Sequence, residues 1–229
     1  MDRVLKKTTK ISPARVGRSG RIADANAIGA LVSSVRQELV DTVEALGGET
    51  TIAELAAQLG RPADGLYYHV KALVKAGLLV REPAPDGDRY RTPSPHGRTL
   101  ALEYAPADPR NAAAVRRVVA SMLRIARRDF DAGMATPGVV AHGPRRALWA
   151  ARSKGWVSAE ELAEVNALLA RLSAMLRRPR GPGRTQLVSL CFVLAPIQAR
   201  PPRRSRGAGL RRSGVRVRTP AVGRHPNAA

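Results

Sequence analysis

Several polar side chains recur on one side of the segment 62–75, and their types are suited to contacting nucleic acid. Lys71 falls about one helical turn after the adjacent residues Tyr67 and Tyr68, and Lys75 follows one turn later. Tyrosine hydroxyls donate to or accept from base edges and phosphates, and lysine ammonium groups neutralise phosphate charge. The sequence therefore predicts a non-covalent recognition surface on this segment.

We expect the flanking residues to extend that surface. The residues just before the segment and at its start are small or polar. A hairpin predicted after it brings two arginines that can reach the sugar-phosphate backbone or the minor groove. For Tyr68 the alternative is packing against this hairpin, which would leave Tyr67 alone at the groove. The predicted DNA-binding residues are Arg61, Ala63, Asp64, Gly65, Tyr67, Tyr68, Lys71, Lys75, Arg89 and Arg91.

A second group of candidates combines two tryptophans with three arginines in the C-terminal half. These residues either line a pocket for a small-molecule effector, or the tryptophans anchor the core of a chain with only 3% aromatic residues. The sequence leaves both interpretations open. The residues are Arg145, Arg146, Trp149, Arg152 and Trp156.

The sequence lacks the patterns of common enzyme classes. It contains no phosphate-binding glycine loop, no nucleophile elbow and no pair of histidines at helical spacing. The adjacent acids Glu160 and Glu161 fall at a predicted helix start, where the helix dipole favours negative charge. We therefore predict that the protein is not an enzyme and needs no cofactor.

Cysteine and histidine usage argues against a metal site. The single cysteine, Cys191, excludes an intramolecular disulfide and a multi-cysteine zinc cluster, and we expect it to be buried in an apolar strand. None of the four histidines has a cysteine or acid at metal-ligand spacing. We expect His69 to be a packed or backbone-bonded residue, and we predict no metal ligand.

Three predicted helices position the recognition surface. Apolar residues recur at helical spacing over residues 25–46, and a glycine pair then stops that helix. Thr51 and Glu54 form a capping box that starts a second helix, which ends at Gly60. Pro62 suits the first position of the third helix, which carries the candidate surface.

A hairpin is predicted directly after the third helix. Residues 78–80 and 89–91 have strand character, and a turn-rich tip at residues 83–88 joins them. Three helices followed by a hairpin are the element order of a winged helix-turn-helix. In that fold the second helix of the motif lies in the major groove of DNA.

The stretch from Ser33 to Val80 resembles the winged-helix transcriptional regulators of the ArsR type. The sequences "TIAELAAQLG" and "LYYHVKALVKAGLL" carry the resemblance most clearly. The metal-sensing members use a Cys-x-Cys pair or paired acid and histidine ligands, which this sequence lacks, so the resemblance is to a regulator that does not sense metals. The resemblance implies that four residues of the third helix face DNA: Asp64, Tyr67, Tyr68 and Lys71.

The C-terminal half predicts a smaller α/β domain. Alternation over residues 99–104 predicts a strand, and an apolar run at residues 187–194 predicts another. Asp108-Pro109 starts a long helix whose apolar stripe, from Val115 to Ala126, belongs either to a dimer interface or to the domain interior. Related regulators often carry an extra domain for dimerisation or effector binding, and we expect one of these roles here.

A further helix is predicted near the end of that domain. Ser158 and Glu161 form its capping box, and Val157 can pack onto the first apolar residue of the helix. We expect the helix to bury Leu162, Val165, Leu168, Leu169, Leu172 and Met175.

The basic charge is concentrated at the two ends of the chain. The net charge is +21, yet the first 21 residues carry seven Lys or Arg against one acid, and residues 177–229 carry thirteen Arg and no acid. We predict an α+β fold that is mainly α, with disordered basic ends. The predicted domains are a flexible basic arm at 1–24, a winged helix-turn-helix DNA-binding domain at 25–95, a C-terminal α/β dimerisation or effector domain at 96–197 and an Arg/Pro-rich tail at 198–229.

These patterns favour a bacterial, cytoplasmic, nucleoid-associated transcriptional regulator. We expect a homodimer that reads a palindromic operator in double-stranded DNA through the helix at 62–75, with an unknown small-molecule effector as a further partner and no membrane contact. One alternative is a basic protein that coats DNA without sequence preference through its ends. The other alternative is a winged helix that is used for protein–protein contacts.

Overall fold

The computed structural model describes residues 21–93, 100–178 and 180–198, and it divides into two compact units between Phe192 and Val193. Residues 193–198 of the second unit form neither helix nor strand. The predicted basic arm up to residue 20, the tail from residue 199 and the start of the strand predicted at Thr99 lie outside the described residues. The fold of the first unit is α+β and mainly helical, as predicted.

The first predicted helix is two helices. Helix α1 covers Ala25–Ala30 and α2 covers Ser34–Ala45, so the expectation of one helix over residues 25–46 was wrong. The chain turns between them because the Gln37 side chain donates hydrogen bonds to two carbonyl groups, one of Leu31 in the turn and one of Val118 far along the chain. Helical periodicity continues through the break and therefore did not reveal it.

The helix-turn-helix follows a short strand, β2, at Glu49–Thr51. Helix α3, Ile52–Leu59, starts with the predicted capping box: the Thr51 Oγ1 atom accepts from the Glu54 N–H at 3.2 Å, and the Glu54 Oε2 atom accepts from the Thr51 N–H at 2.8 Å. Gly60 ends α3 in the left-handed region at φ 60°, which glycine adopts without strain. The next helix, α4, covers Ala63–Lys75.

Pro62 lies one position outside the place that was predicted for it. It is the N-cap of α4, with an extended backbone, and Ala63 is the first helical residue. The ring still fixes the backbone at the helix start, so the turn between α3 and α4 remains as tight as expected. Helix α4 therefore has 13 residues, one fewer than predicted.

The hairpin strands are β3, Val80–Glu82, and β4, Arg89–Arg91. Strand β4 pairs antiparallel with both β2 and β3, which gives the order β2-β4-β3. Strand β3 begins later than predicted because the N–H groups of Leu78 and Leu79 both donate to the Leu73 carbonyl at the end of α4. These three strands form the wing.

One apolar core joins the helix-turn-helix to the elements on either side of it. Leucines of α2, α3 and α4 and of the turn after α4 are fully buried, and each buried leucine contributes about 1.5–3 kcal/mol of transfer free energy. Ile22 of strand β1, Arg21–Ile22, and Val118 of the long helix at Pro109–Met134 belong to the same core. Its largest fully buried apolar residues are Ile22, Ile28, Leu39, Leu55, Leu66, Leu73, Leu78, Leu79, Val43 and Val70.

Strand β1, Arg21–Ile22, pairs in parallel with β5, Ala101–Leu102. Residues 21–24, which the sequence placed in the flexible arm, thus form a strand and the N-cap of α1. The Asn111 side chain holds the segment after β5 by donating to the Glu103 carbonyl at 3.0 Å and accepting from the Ala105 N–H at 2.9 Å.

The long helix, α5, covers Pro109–Met134 and has the predicted start, with the Asp108 side chain as its cap and Pro109 at its first position. It packs against α1 and α2 through one side only. Within the predicted apolar stripe Val118 is buried and the other members are half-buried. On the neighbouring side Leu123, Phe130 and Met134 are exposed.

Helix α6, Ala159–Leu176, begins with the predicted capping box of Ser158 and Glu161. It buries none of its residues, so the expected inward stripe Leu162, Val165, Leu168, Leu169, Leu172 and Met175 was wrong. The cap is a local interaction that the sequence contains, whereas burial needs a neighbouring element, and α6 has no covering element in the described chain.

Three other expectations for the C-terminal half were also wrong. Trp149 is 68% exposed and Trp156 is 92% exposed, so neither tryptophan anchors a core. Residues 187–194 form no strand, because this run pairs with no other described strand, and Cys191 is half-buried outside any strand.

In the described part of the chain no helix is both long and apolar enough to cross a membrane.

Candidate nucleic-acid interface

Helix α4 has a buried side, here called its dry side, and a solvent-exposed side, here called its wet side. Leu66, Val70 and Leu73 are at most 1% exposed and fix the helix against the core. Because these positions recur with the helical period, the opposite side must face outward. The exposed residues of α4 are Asp64, Gly65, Tyr67, Tyr68, Lys71 and Lys75.

The wet side offers hydrogen-bonding groups with no internal partner. Within the described residues, the hydroxyls of Tyr67 and Tyr68 form no hydrogen bond, and Lys71 and Lys75 form no ion pair. Asp64 is the one acid of the helix and lies in its first turn, where the helix dipole favours a carboxylate. Ligand atoms can therefore bind these groups without first displacing an intramolecular partner.

Tyr68 is the more exposed of the two tyrosines. It is 75% exposed, and its ring meets the His69 ring edge-to-face with centroids 5.4 Å apart. Tyr67 is 46% exposed and lies near enough to Tyr90 of the wing to raise the pKa of that phenol slightly, after burial and Asp88. Among the described residues, Tyr68 has no hydrogen bond or ring contact with the wing, whereas Tyr67 interacts electrostatically with Tyr90.

Gly65 and Ala63 form the small-residue start of the surface. A Cβ atom placed on Gly65 would meet no atom within 4 Å, so nothing within the described residues requires glycine there. Ala63 is half-buried against the core. The open space above Gly65 lets another molecule approach the backbone of α4 closely.

His69 is packed, as expected, but it is not backbone-bonded. The residue is half-buried, and its Nδ1 atom is buried without a hydrogen-bond partner among the described residues. Burial lowers the pKa of the imidazole, and the cations of Arg36 and Arg61 lower it further. His69 therefore favours its neutral form.

Arg61, in the turn between α3 and α4, is tied to α2. Its Nη2 atom lies 3.6 Å from the Oε2 atom of Glu38, whose side chain is only 12% exposed. The other carboxylate oxygen of Glu38 accepts from the Arg128 Nη2 atom at 2.7 Å. Arg61, a predicted DNA contact, thus shares the Glu38 carboxylate with Arg128 of the long helix α5.

The two predicted wing arginines are also paired. Arg89 lies 3.0 Å from the Asp86 carboxylate and 3.6 Å from that of Glu49, and Arg91 pairs with Glu82. These pairs did not follow from the arginine positions alone, because most of the acidic partners come from the turn and from the strand register. The equal number of arginines and acids over residues 81–91, three of each, is the signal that indicates them.

The wing contains a third arginine, which is not among the predicted DNA-binding residues. Arg81 is 57% exposed and its Nε atom lies 2.6 Å from the Asp88 carboxylate. With this pair, each arginine of residues 80–91 has an acidic partner within the same segment. The wing is therefore close to electrically neutral, and among the described residues the unpaired cations next to it are Lys71 and Lys75 of α4.

The predicted effector residues converge only in part. The Arg146 guanidinium carbon lies 3.2 Å from the centre of the Trp149 ring, a cation–π contact. Arg145, Arg152 and Trp156 are exposed and form no side-chain hydrogen bond, ion pair or ring contact with a described residue. Among the described residues, no group of three or more His, Cys, Asp or Glu side chains has a metal-binding arrangement.

Comparison with known proteins gives one match. Residues 31–82 match the protein family described as "Helix-turn-helix domain", and the match runs from the turn before α2 to the end of β3. No curated protein and no solved structure matches the chain. The matched segment contains α4 and its exposed side chains. The chain thus carries a helix-turn-helix domain at residues 31–82, which supports a DNA-binding regulator.

Proposed function

We propose that this protein is a transcriptional regulator that reads a palindromic operator through α4, acting as a homodimer. The observation that carries the proposal is the exposed side of α4, where two tyrosine hydroxyls form no hydrogen bond and two lysines form no ion pair with a described residue. The resemblance to ArsR-type regulators supports the same assignment. The proposed regulator is not an enzyme.

The dimensions and chemistry of α4 suit the major groove of B-DNA. Its 13 residues span about 20 Å at 1.5 Å per residue, and the groove is about 12 Å wide, enough to admit one helix. Tyr67, Tyr68 and Asp64 supply donors and acceptors for base edges, whereas Lys71 and Lys75 neutralise phosphates. Base contacts then give specificity, and phosphate contacts fix the register.

The proposed dimer follows from the small number of base pairs that one helix contacts. Two helices related by a twofold axis read half-sites about one helical turn apart, and symmetric dimers are the commonest oligomers. The exposed apolar residues Leu123, Phe130 and Met134 of α5 support self-association, because they are 50%, 37% and 60% exposed in the single chain.

The test is selection of bound fragments from a random DNA pool. We expect the full chain to enrich a palindromic sequence, and the double variant Tyr67→Ala, Lys71→Ala to lose that enrichment. The matched control is the single variant Lys154→Ala, which removes an exposed cation outside α4 and keeps the enrichment. Equal enrichment by the double variant would overturn the assignment of α4 as the reading helix.

The second candidate is coating of DNA by the basic ends. The concentration of positive charge in the first 21 residues and in residues 177–229 favours it. In that case affinity is the same for selected and scrambled DNA, falls steeply with salt, and does not respond to the α4 substitutions. A selected sequence bound more than 100-fold tighter than scrambled DNA at the same salt concentration would exclude coating as the main function.

A further inference from the structure

An open groove of about 650 Å³ lies between α1, the C-terminal end of α4 and the start of α5. Alanines and a glycine supply most of its lining. Because these side chains are small, the groove is shallow and the backbone of all three helices is close to its surface. Four long side chains also line it, and all four are basic: Arg36, Lys75, Arg110 and Arg117.

The groove contains no carboxylate. None of its four cations forms an ion pair with a described residue, in contrast to the wing, where every arginine has an acidic partner. The nearest acids in sequence are occupied elsewhere: Asp24 and Asp108 accept from backbone N–H groups at the starts of α1 and α5, and Glu38 pairs with Arg61 and Arg128. Like charges gathered in one place repel each other unless an anion joins them.

Arg36 provides a second, independent observation. The residue is half-buried, and its Nε atom is buried without a hydrogen-bond partner among the described residues. A buried donor of this kind is almost always satisfied in a folded protein. A small shift of the Arg36 side chain would bring this donor to acceptor oxygens of a ligand in the groove.

We propose that this groove binds a phosphate-bearing ligand with more than one negative charge. Arginine guanidinium groups present planar, forked donors that match pairs of phosphate oxygens, and three of the four cations are arginines. A second copy of the chain does not suit the groove, because twofold docking would place cations against cations.

Two kinds of ligand present such phosphate groups. One is a free phosphorylated small molecule, and the other is the phosphate backbone of DNA beyond the segment that α4 reads. Lys75 lines the groove and also belongs to the exposed side of α4, so either ligand would meet the proposed recognition helix at its C-terminal end. The DNA source rests on the proposed function, whereas the free ligand does not.

The test compares two double variants of the full chain. Arg110→Gln, Arg117→Gln removes two cations of the groove, and the control Arg116→Gln, Arg124→Gln removes two exposed arginines of the same helix that do not line it. The variants change the net charge equally, so nonspecific binding by the basic ends changes equally. Circular dichroism melting checks that both variants fold.

In the first arm, inorganic pyrophosphate is titrated into each protein by calorimetry without DNA. We expect the groove variant to weaken binding at least tenfold and the control to change it less than twofold. In the second arm, DNA affinity is measured at several salt concentrations. If the groove holds DNA phosphates, the groove variant lowers the slope of log K against log salt by about 2, and the control does not.

A loss confined to the first arm identifies a free phosphate ligand, and a loss confined to the second identifies the DNA backbone. If the groove variant and the control behave alike in both arms, the proposal is overturned. A failure of operator reading by α4 leaves the first arm unaffected, because that arm contains no DNA.

Discussion

Arg128 of α5 donates to the Glu38 carboxylate of α2 at 2.7 Å, although that carboxylate lies largely out of solvent. The other oxygen of Glu38 lies 3.6 Å from Arg61, in the turn before α4. One half-buried acid thus connects the long helix to the start of the proposed recognition helix. A rearrangement of α5 can therefore be transmitted to the start of α4 through the two ion pairs of Glu38.

The first prediction concerns that acid. Glu38→Gln leaves two cations without their shared carboxylate, and we expect the free energy of unfolding to fall by about 1–2 kcal/mol, between the values for exposed and buried pairs. Asp131→Asn is the control because Asp131 pairs with Arg127 at 3.7 Å on an exposed surface. Urea denaturation of both variants measures the difference, and equal losses would contradict the prediction.

The second prediction concerns Gly65. Since a Cβ atom would meet nothing within 4 Å, Gly65→Ala should raise the free energy of unfolding by about 1 kcal/mol through helix propensity alone. The added methyl group lies on the proposed DNA-facing side, so we expect operator affinity to fall about tenfold. Denaturation and DNA titration give the two readouts, and a variant with unchanged affinity would show that DNA does not approach this backbone closely.

The third prediction concerns the N-cap of α3. Thr51→Ala removes the hydroxyl that accepts from the Glu54 N–H, and we expect a loss of about 1 kcal/mol in the free energy of unfolding. Thr51→Ser keeps the oxygen and should restore most of the stability. Thermal unfolding compares the three proteins, and an alanine variant as stable as the serine variant would show that the cap contributes little.

The fourth prediction concerns pH and His69. Burial, together with Arg36 and Arg61, lowers the pKa of His69 below 6.5 in the folded chain. As pH falls, His69 therefore takes up its proton at a higher pH in the unfolded chain than in the folded chain. The free energy of unfolding should therefore decrease as pH falls through 6.5, by at most about 1.4 kcal/mol per pH unit for this one group.

The His69→Gln variant should lose that part of the pH dependence. His142→Gln is the control because His142 is exposed. Denaturation between pH 5.5 and pH 7.5 measures the slopes. A slope that survives in His69→Gln would assign the effect to other groups.

The fifth prediction concerns the wing. Asp88→Asn frees Arg81 from its partner at 2.6 Å, and we expect tighter binding to any DNA with a salt slope steeper by about 1, the effect of one additional phosphate contact. Asp131→Asn makes the same charge change away from the wing. Titrations at three salt concentrations separate the two variants. Identical slopes would indicate that the wing does not contact DNA.

Local interactions were predictable from the sequence. Both capping boxes and the start of α5 at Asp108 lie where the sequence places them, because each depends on residues at most three positions apart. The dry side of α4 was predictable for the same kind of reason, since helical periodicity identifies Leu66, Val70 and Leu73. These features define the candidate site.

Interactions over long sequence separations were not predictable. The break between α1 and α2 depends on Gln37 and the Val118 carbonyl, which are 81 positions apart. The pairing of Arg61 and Arg128 with one acid, Glu38, likewise joins three elements. The apolar character of α6 predicted burial, yet burial depends on a covering element that composition does not specify.

The parallel pairing of β1 with β5 affects how the helix-turn-helix can be isolated. The Glu103 N–H donates to the Ile22 carbonyl at 3.0 Å, and Ile22 is 1% exposed, so backbone bonds close a loop around the whole segment between them. A fragment cut at residues 31–82 would lose this closure and expose the apolar surface beneath Ile22 and α5. Excision of the minimal motif should therefore yield an aggregating peptide, whereas a fragment from Arg21 to the first turns of α5 should keep the closure and stay in solution.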